Sequence, residues 1–292
     1  MLCGICPRKC NTDRTREYGF CGTGVKFKVA RSAPHQWEEP CISGTNGSGT
    51  VFFSGCSLRC CFCQNYNVSH IALGKEITSA ELMRLFDRLI EKGVHNLNFV
   101  TPTHYTPMLA EVLREYKPTV PVVWNSSGYE SADSLKLLEG LVDIYLPDLK
   151  FFDSSVSLKY AGAADYFDYA SEAVKEMYRQ VGDLACDENG IAKKGVIIRH
   201  LVLPGNVSQS FKIFNWVEEN IGTGVSVSLL RQYVPYGDAV NMPPLNRKLS
   251  AREYSLAKQH ILSLGFENCY FQKGTSATED FIPDFNPENL DL

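Results

Sequence analysis

Four cysteines crowd into eight residues, Cys56-Ser57-Leu58-Arg59-Cys60-Cys61-Phe62-Cys63. Taken as Cys56-x3-Cys60-x2-Cys63, three thiolates can converge on one centre, just after the β-branched and aromatic run Val51 to Phe53. Thiolate is a soft ligand that suits iron–sulfur clusters, zinc or Cu(I). A closed zinc or cluster site normally takes four protein ligands. This set offers three, so a [4Fe–4S] cluster held here would keep one iron open to bind something else. Adjacent Cys60 and Cys61 are awkward co-ligands, because neighbouring side chains on a loop point apart. Cys61 is therefore read as the extra thiol. Two alternatives stand beside the cluster: a four-cysteine zinc knuckle, and buried free cysteines packed as small apolar residues.

A second set lies at the N-terminus. Cys3, Cys6, Cys10 and Cys21 follow one another with spacings of x2, x3 and x10. They bring four thiolates into about 20 residues that are otherwise unable to build a core. Coordination by all four would supply the missing folding energy, as in small zinc modules. Zinc suits a closed structural role and a second iron–sulfur cluster suits electron delivery; the balance leans slightly to zinc. Cys41, Cys186 and Cys269 are scattered and are read as structural.

The rest of the composition narrows the class. With 292 residues, 44% hydrophobic and 21% charged, the chain fits a soluble globular protein of one large α/β domain or two ordinary ones. A net charge of −4 gives no global basic field for nucleic acid or membrane. The start, Met1-Leu2-Cys3-Gly4-Ile5-Cys6, has neither the charged nor the apolar region of a signal peptide. No apolar run approaches the roughly 18 residues of a bilayer span. A cytoplasmic location is expected, and there the 11 cysteines do not form a disulfide framework.

The elements that would position these thiols alternate. Residues 1–50 show little periodicity. Strands are expected at 51–54, 96–100, 121–125, 142–146, 196–203 and 225–230, with a last short one at 269–272. Helices are expected at 107–116, 131–139, 166–181 and 208–220. Two more begin at capping boxes, Thr78 with Glu81 and Ser250 with Glu253. The first of these presents Leu82, Leu85, Phe86 and Leu89 on one face, and the second Tyr254, Ala257, Ile261 and Leu264. Residues 183–194 read as an exposed loop, and the tail from 273 to 292 as extended or loose. Six β/α units in this order predict a parallel sheet with right-handed connections. In such barrels the chemistry sits at the strands' C-terminal ends, where Cys56 falls.

The cysteine spacing, the aromatic Phe62 and the upstream strand resemble the radical S-adenosylmethionine (SAM) superfamily. Other strand ends are similar to its pyruvate formate-lyase activating enzyme branch. Gly47-Ser48-Gly49 resembles a Gly-Pro-Gly segment, and Asp148-Leu149-Lys150 an Asp-Leu-Lys signature. Asn125-Ser126-Ser127-Gly128-Tyr129 resembles Asp-Thr-Asn-Gly-Phe, and Ile198-Arg199-His200-Leu201-Val202-Leu203-Pro204-Gly205 an Ile-Arg-Tyr-Val-Val-Val-Pro-Gly strand. The N-terminal Cys-x2-Cys-Pro-Arg-x-Cys segment is similar to that of uncharacterised activating-enzyme-like proteins. The resemblance implies a partial (β/α)6 TIM-like barrel over residues 46–292, with a Cys-rich metal-binding segment over 1–45.

What the resemblance implies for the site is specific. Cys56, Cys60 and Cys63 would hold a [4Fe–4S] cluster whose open iron is chelated by the amino and carboxylate groups of SAM. Arg199 would meet the SAM carboxylate; a structural ion pair with Asp148 or another barrel acid competes. Asn125 and Ser126 would bond the ribose or, with Asp148, a monovalent cation. Lys150 would supply charge near the cofactor, and Phe62 would pack against adenine or cluster sulfur. The branch carries Gly-Gly-Glu after its second strand, whereas this chain has Val100-Thr101-Pro102-Thr103-His104. Thr101 and Thr103 are therefore the candidates for receiving the SAM amine. His104 and His200 could face substrate or be satisfied core histidines, and Tyr233 and Tyr236 could flank the cavity or pack its rim.

The implied reaction is reductive cleavage of SAM to methionine and a 5′-deoxyadenosyl radical, which takes hydrogen from the substrate. The leading expectation is activation of a glycyl radical enzyme. Modification of a peptide or small metabolite is the alternative, and a metal-binding or electron-transfer protein without SAM turnover belongs to a different class. A protein or peptide substrate and an electron donor such as flavodoxin or ferredoxin are the expected partners; nucleic acid and membrane are not.

Overall fold

The computed structural model describes residues 2–272 and 283–290. Its strands are β1 (Phe27–His35), β2 (Ser48–Phe53), β3 (Lys75–Ile77), β4 (Leu97–Val100), β5 (Val122–Ser126), β6 (Ile144–Pro147), β7 (Ala185–Cys186), β8 (Ala192–Leu201), β9 (Ser226–Leu230) and β10 (Cys269–Phe271). The helices are α1 (Pro40–Ser43), α2 (Tyr66–Ser69), α3 (Ser79–Glu91), α4 (Thr106–Tyr116), α5 (Ala132–Leu135), α6 (Ser154–Ala161), α7 (Tyr166–Val181), α8 (Val207–Asn220) and α9 (Ala251–Ser263). The strand order is β10-β9-β8-β6-β5-β4-β2-β1-β3, with β7 paired to β8 outside that path. From β2 to β10 along this path every neighbouring pair is parallel. Among the described residues β3 and β10 end the order unpaired with each other, so the barrel stays open. The expected six β/α units are present.

Helix starts follow their local chemistry. The Thr78 hydroxyl accepts from the Glu81 N–H at 3.2 Å, and the Thr78 N–H donates to Glu81 Oε2 at 2.8 Å. Behind this box Leu82, Leu85, Phe86 and Leu89 are buried, and Phe86 stacks on Phe99 of β4. Ser250 and Glu253 build the same reciprocal cap on α9.

Three expectations change. The helix expected over 131–139 shrinks to α5 followed by a 3-10 turn at Lys136–Leu138. The tighter turn places Leu135 and Leu138 above each other, and both are buried. The expected loop at 183–194 contains β7 and the first residues of β8, paired antiparallel. The N-terminal region also contributes β1, whose Phe27 and Val29 are buried and which pairs antiparallel with both β2 and β3. Its Pro34 and Arg31 obscure the alternation that would have marked it as a strand. The tail expected over 273–292 lies mostly outside the described residues.

Glu130 is a buried acid met by neutral donors. Glu130, 1% exposed, accepts from the Trp124 indole N–H at 3.0 Å and also meets the hydroxyls of Ser126 and Thr103. Burial pushes its carboxyl up to about 7, partly offset by these three neutral donors. A carboxyl raised on folding gives stability that is present below its unfolded value and lost as pH rises through the folded one. Wild type should therefore lose stability between about pH 4.5 and pH 7 through this group, on the order of 3 kcal/mol. Glu130→Gln should flatten that part of the profile in urea titrations run from pH 4.5 to 8, becoming the more stable form at pH 8. Parallel profiles for the two proteins would contradict this assignment.

Candidate functional site

The cavity opens at the C-terminal ends of the parallel strands and holds about 220 Å³. Cys56, Cys60 and Cys63 line it together, with Phe62 between them in sequence. The three thiols sense one another's charge, and burial pushes Cys60 well above its ordinary value. The Leu58 N–H donates to Cys56 Sγ at 3.3 Å and the Ser69 hydroxyl meets Cys63, so two sulfurs already have the donors that a coordinated thiolate accepts. Cys61 lies outside this lining: its N–H donates to the Tyr160 carbonyl and its carbonyl accepts from Ala239. The set thus fits a three-thiolate cluster with one face turned to the cavity.

Gly55 permits the loop. Its φ is +83°, and a β-carbon there would lie 2.4 Å from the Cys21 carbonyl oxygen. Only glycine allows this backbone conformation and this approach without strain.

A charged network forms the cavity floor. Arg199 Nε donates to Asp148 Oδ1 at 2.9 Å and Nη1 to Glu38 Oε2 at 3.0 Å, while Nη2 donates to Asn125 Oδ1. Glu38 Oε1 accepts from the amides of Asn98 and Asn125, both at 3.1 Å. Lys150 Nζ donates to Asp148 Oδ2. Burial alone would raise the Asp148 carboxyl, but Arg199 and Lys150 hold it below the ordinary carboxylate value. Burial alone would lower Lys150, but Asp148 and the Cys60 thiol hold it above its ordinary value. Lys150 therefore stands between the acid and the thiols.

Of the expected cofactor-site residues, all but Thr103 line the cavity. Arg199 forms the ion pair with Asp148 that competed with a free cofactor contact. Lys150 and Arg199 each donate to one of the two Asp148 oxygens. Thr101 lines the cavity, but Thr103 does not: it sits in the 3-10 turn Thr103–Tyr105 and faces Glu130. Thr101 has φ +59°, a glycine-like conformation kept by a β-branched residue at the place where the similar branch carries Gly-Gly. Asn125 and Ser126 do line the cavity, although Asn125 is committed to Glu38 and Arg199 and the Ser126 hydroxyl accepts from Gly128.

Neither histidine reaches the cavity. His200 is bonded at both ring nitrogens, to the Leu149 carbonyl at 2.6 Å and the Ser210 hydroxyl at 2.8 Å. His104 meets the Ser54 carbonyl at 2.8 Å. Burial lowers them to about 4 and about 3, so both are neutral core groups. Tyr233 is buried, donates to the Leu245 carbonyl and packs on Phe62. Tyr236 lines a smaller neighbouring hollow.

Sequence reasoning missed Glu38, with His35 and Trp37 beside it on the cavity wall. The signal was an acidic pair, Glu38-Glu39, directly before Pro40 in a region read as irregular. Glu39 is fully buried, and burial raises its carboxyl despite the charge of Arg199.

The N-terminal cysteines approach this loop from outside. The Cys56 N–H donates to the Cys21 carbonyl at 3.2 Å. Arg8 Nε donates to the Ser57 carbonyl at 2.7 Å, and its Nη2 to the carbonyls of Leu58 at 3.2 Å and Ala161 at 2.7 Å. Among the described residues, no three Cys, His, Asp or Glu side chains are grouped to hold a single metal ion.

Residues 42–160 match the family model of a 4Fe–4S single cluster domain. The chain is 29% identical over 279 residues to uncharacterized protein MJ0674 of Methanocaldococcus jannaschii, covering 91% of this chain and 77% of that protein. Its fold is similar to methylornithine synthase (PylB), with a TM-score of 0.51 at 12% identity, covering 82% of this chain and 77% of that one. It is also similar to Streptococcus suis SuiB, crystallised with the precursor peptide SuiA, with a TM-score of 0.50 at 15% identity. There 76% of this chain is covered, and the chain spans about half of SuiB, 47%. No helix among the described residues is long and apolar enough to cross a membrane. The chain thus carries a 4Fe–4S single cluster domain match over residues 42–160 and shares an overall fold with PylB and SuiB.

Proposed function

We propose that the protein reductively cleaves SAM at a [4Fe–4S] cluster held by Cys56, Cys60 and Cys63 and takes hydrogen from a polypeptide substrate. The observation that carries this reading is one cavity, at the strands' C-terminal ends, lined jointly by three thiols and by Asp148, Lys150 and Arg199. When bound, the cluster supplies the single electron that splits SAM into methionine and a 5′-deoxyadenosyl radical. The chain's own residues bind and orient. Lys150 and the two unused Arg199 N–H groups offer positive charge to the SAM carboxylate. Glu38 offers the negative charge that the Thr101–Thr103 turn lacks, and Phe62 gives an apolar wall.

A polypeptide is favoured because the unclosed sheet leaves room for an extended segment. SuiB, whose fold is similar, has been crystallised with a peptide. Activation of a glycyl radical enzyme is the form suggested by the activase-like motifs, with a flavodoxin or ferredoxin as electron donor.

Anaerobically reconstituted protein given dithionite and SAM should release 5′-deoxyadenosine slowly, and faster with a polypeptide whose deuterium appears in that product. Cys56, Cys60 and Cys63 changed together to Ala should abolish cleavage, whereas Cys61→Ser should keep it. Cleavage by the triple variant would sink the ligand assignment. Glu38→Gln should weaken SAM binding about tenfold, the loss of one charge-assisted contact, at unchanged iron content; unaltered affinity would remove Glu38 from the site.

A further inference from the structure

Two of the cysteines that are scattered in sequence meet in the fold, at the end of the barrel away from the thiol loop. Cys41 lies in α1, which packs on the starts of the parallel strands. Asn96, just before β4, donates its amide to the Ile42 carbonyl at 2.8 Å. Cys41 and Ile42 share a buried cluster with Val123, Ile144 and Ala192.

Cys186 lies in β7, where it pairs with Ala192 of β8. Residues opposite each other across an antiparallel pair project to the same face, with β-carbons about 5 Å apart. Ala192 presents that face to the Cys41 cluster, so Cys186 is directed to the same side. The two thiols are in hydrogen-bonding contact, and Cys41 senses the charge of Cys186. Two further contacts fix Cys41 and α1. A β-carbon on Gly44, just after α1, would lie 2.5 Å from Ile191 Cδ1. The Tyr270 hydroxyl donates to Cys41 Sγ at 3.2 Å.

The two thiols differ in access. Cys41 is 5% exposed, whereas Cys186 is exposed. One can meet a small oxidant in solvent while the other waits behind it, which is the arrangement of an attacking and a resolving thiol. Burial pushes Cys41 up to about 11, and burial together with Asp187 raises Cys186. Both are therefore protonated at neutral pH, and exchange is slow. Neither thiol lines the cavity. Glu38 stands three residues before Cys41 with Pro40 between them, so a restraint on α1 is also a restraint on the turn whose carboxylate meets Arg199.

We propose that Cys41 and Cys186 form a redox-sensitive pair, converted by a low-molecular-weight disulfide such as oxidised glutathione into an intramolecular disulfide that clamps α1 to the β7–β8 hairpin. The Cys186 thiolate attacks one sulfur of the oxidant. The oxidant's S–S bond breaks, one reduced thiol leaves and Cys186 is held as a mixed disulfide. The Cys41 thiolate then attacks the Cys186 sulfur, forming the protein S–S bond and expelling the second reduced thiol. The two protein thiols lose two electrons and the oxidant gains them, while the two thiol protons pass to the leaving thiolates. Such a bond is reversible, as intracellular redox-sensing disulfides are.

Whole protein reconstituted with iron and sulfide is equilibrated anaerobically with an excess of oxidised over reduced glutathione, quenched in acid, alkylated while unfolded and digested. Mass spectrometry should find a Cys41–Cys186 link that dithiothreitol reverses. Recovery of Cys186 only as its glutathione mixed disulfide, or of Cys41 fully alkylated, would overturn the pair. In Cys186→Ser, a change at an exposed position, Cys41 should stay reduced. Oxidation of Cys41 in that variant at the wild-type rate would overturn Cys186 as the attacking thiol. Hydrogen–deuterium exchange reads the clamp: amides of residues 36–47 should exchange about tenfold more slowly in oxidised than in reduced wild type, and at one rate in treated and untreated Cys186→Ser. Equal exchange in the two wild-type forms would overturn the clamp.

Discussion

A guanidinium inside a barrel has to be answered by charge, and the way Arg199 is answered organises the site. Burying it unpaired would be expensive, and a pair that loses one partner leaves an isolated buried charge. The fold therefore brings two acids to it from distant parts of the chain: Asp148 after β6, and Glu38 from the turn between β1 and α1. Asn98 and Asn125 both donate to Glu38 Oε1, while Arg199 donates to Oε2. Five segments are thereby tied at one depth, and the thiol loop after β2 lies above them within reach of Lys150.

This constraint explains which parts of the molecule the amino-acid sequence disclosed. The parallel core was legible because its strands are short apolar runs and its helices carry caps and a clean apolar stripe, as α3 does. The joint placement of Cys56, Cys60 and Cys63 on one cavity was legible because the three lie close together in sequence. Glu38 was not, because its meaning depends on tertiary contacts with residues 60 to 161 positions away. β1 was hidden for a related reason: it lies beside β2 on the antiparallel side of the sheet, and its residues outside the first few are only half-buried. Thr103 was misplaced because a turn after a strand shows neither which hydroxyl faces the cavity nor which faces a buried acid.

The histidines show the same limit from the other side. His104 and His200 stand next to strand ends where chemistry is expected, yet both are turned into the core: His200 is bonded at both ring nitrogens, and His104 at Nε2 only, to the Ser54 carbonyl. Position near a catalytic face is decided by strand register, whereas orientation is decided by the alternation of side chains along the strand. Arg199 and His200 are neighbours, and only the first points to the cavity.

The Arg8 contacts have a consequence for how the chain matures. Helix C-terminal carbonyls need partners, and Arg8 supplies one for Ala161 at the end of α6, 153 residues later in sequence. A ribosome adding 5–20 residues per second needs on the order of 8 to 30 seconds to cover that stretch. From the moment Cys63 is made until the end of that interval, both sets of thiols exist while the helix carrying Ala161 does not. The nascent protein therefore passes through a period in which its sulfurs are open to oxygen and to stray metal ions before Arg8 can bridge the Ser57 and Ala161 carbonyls.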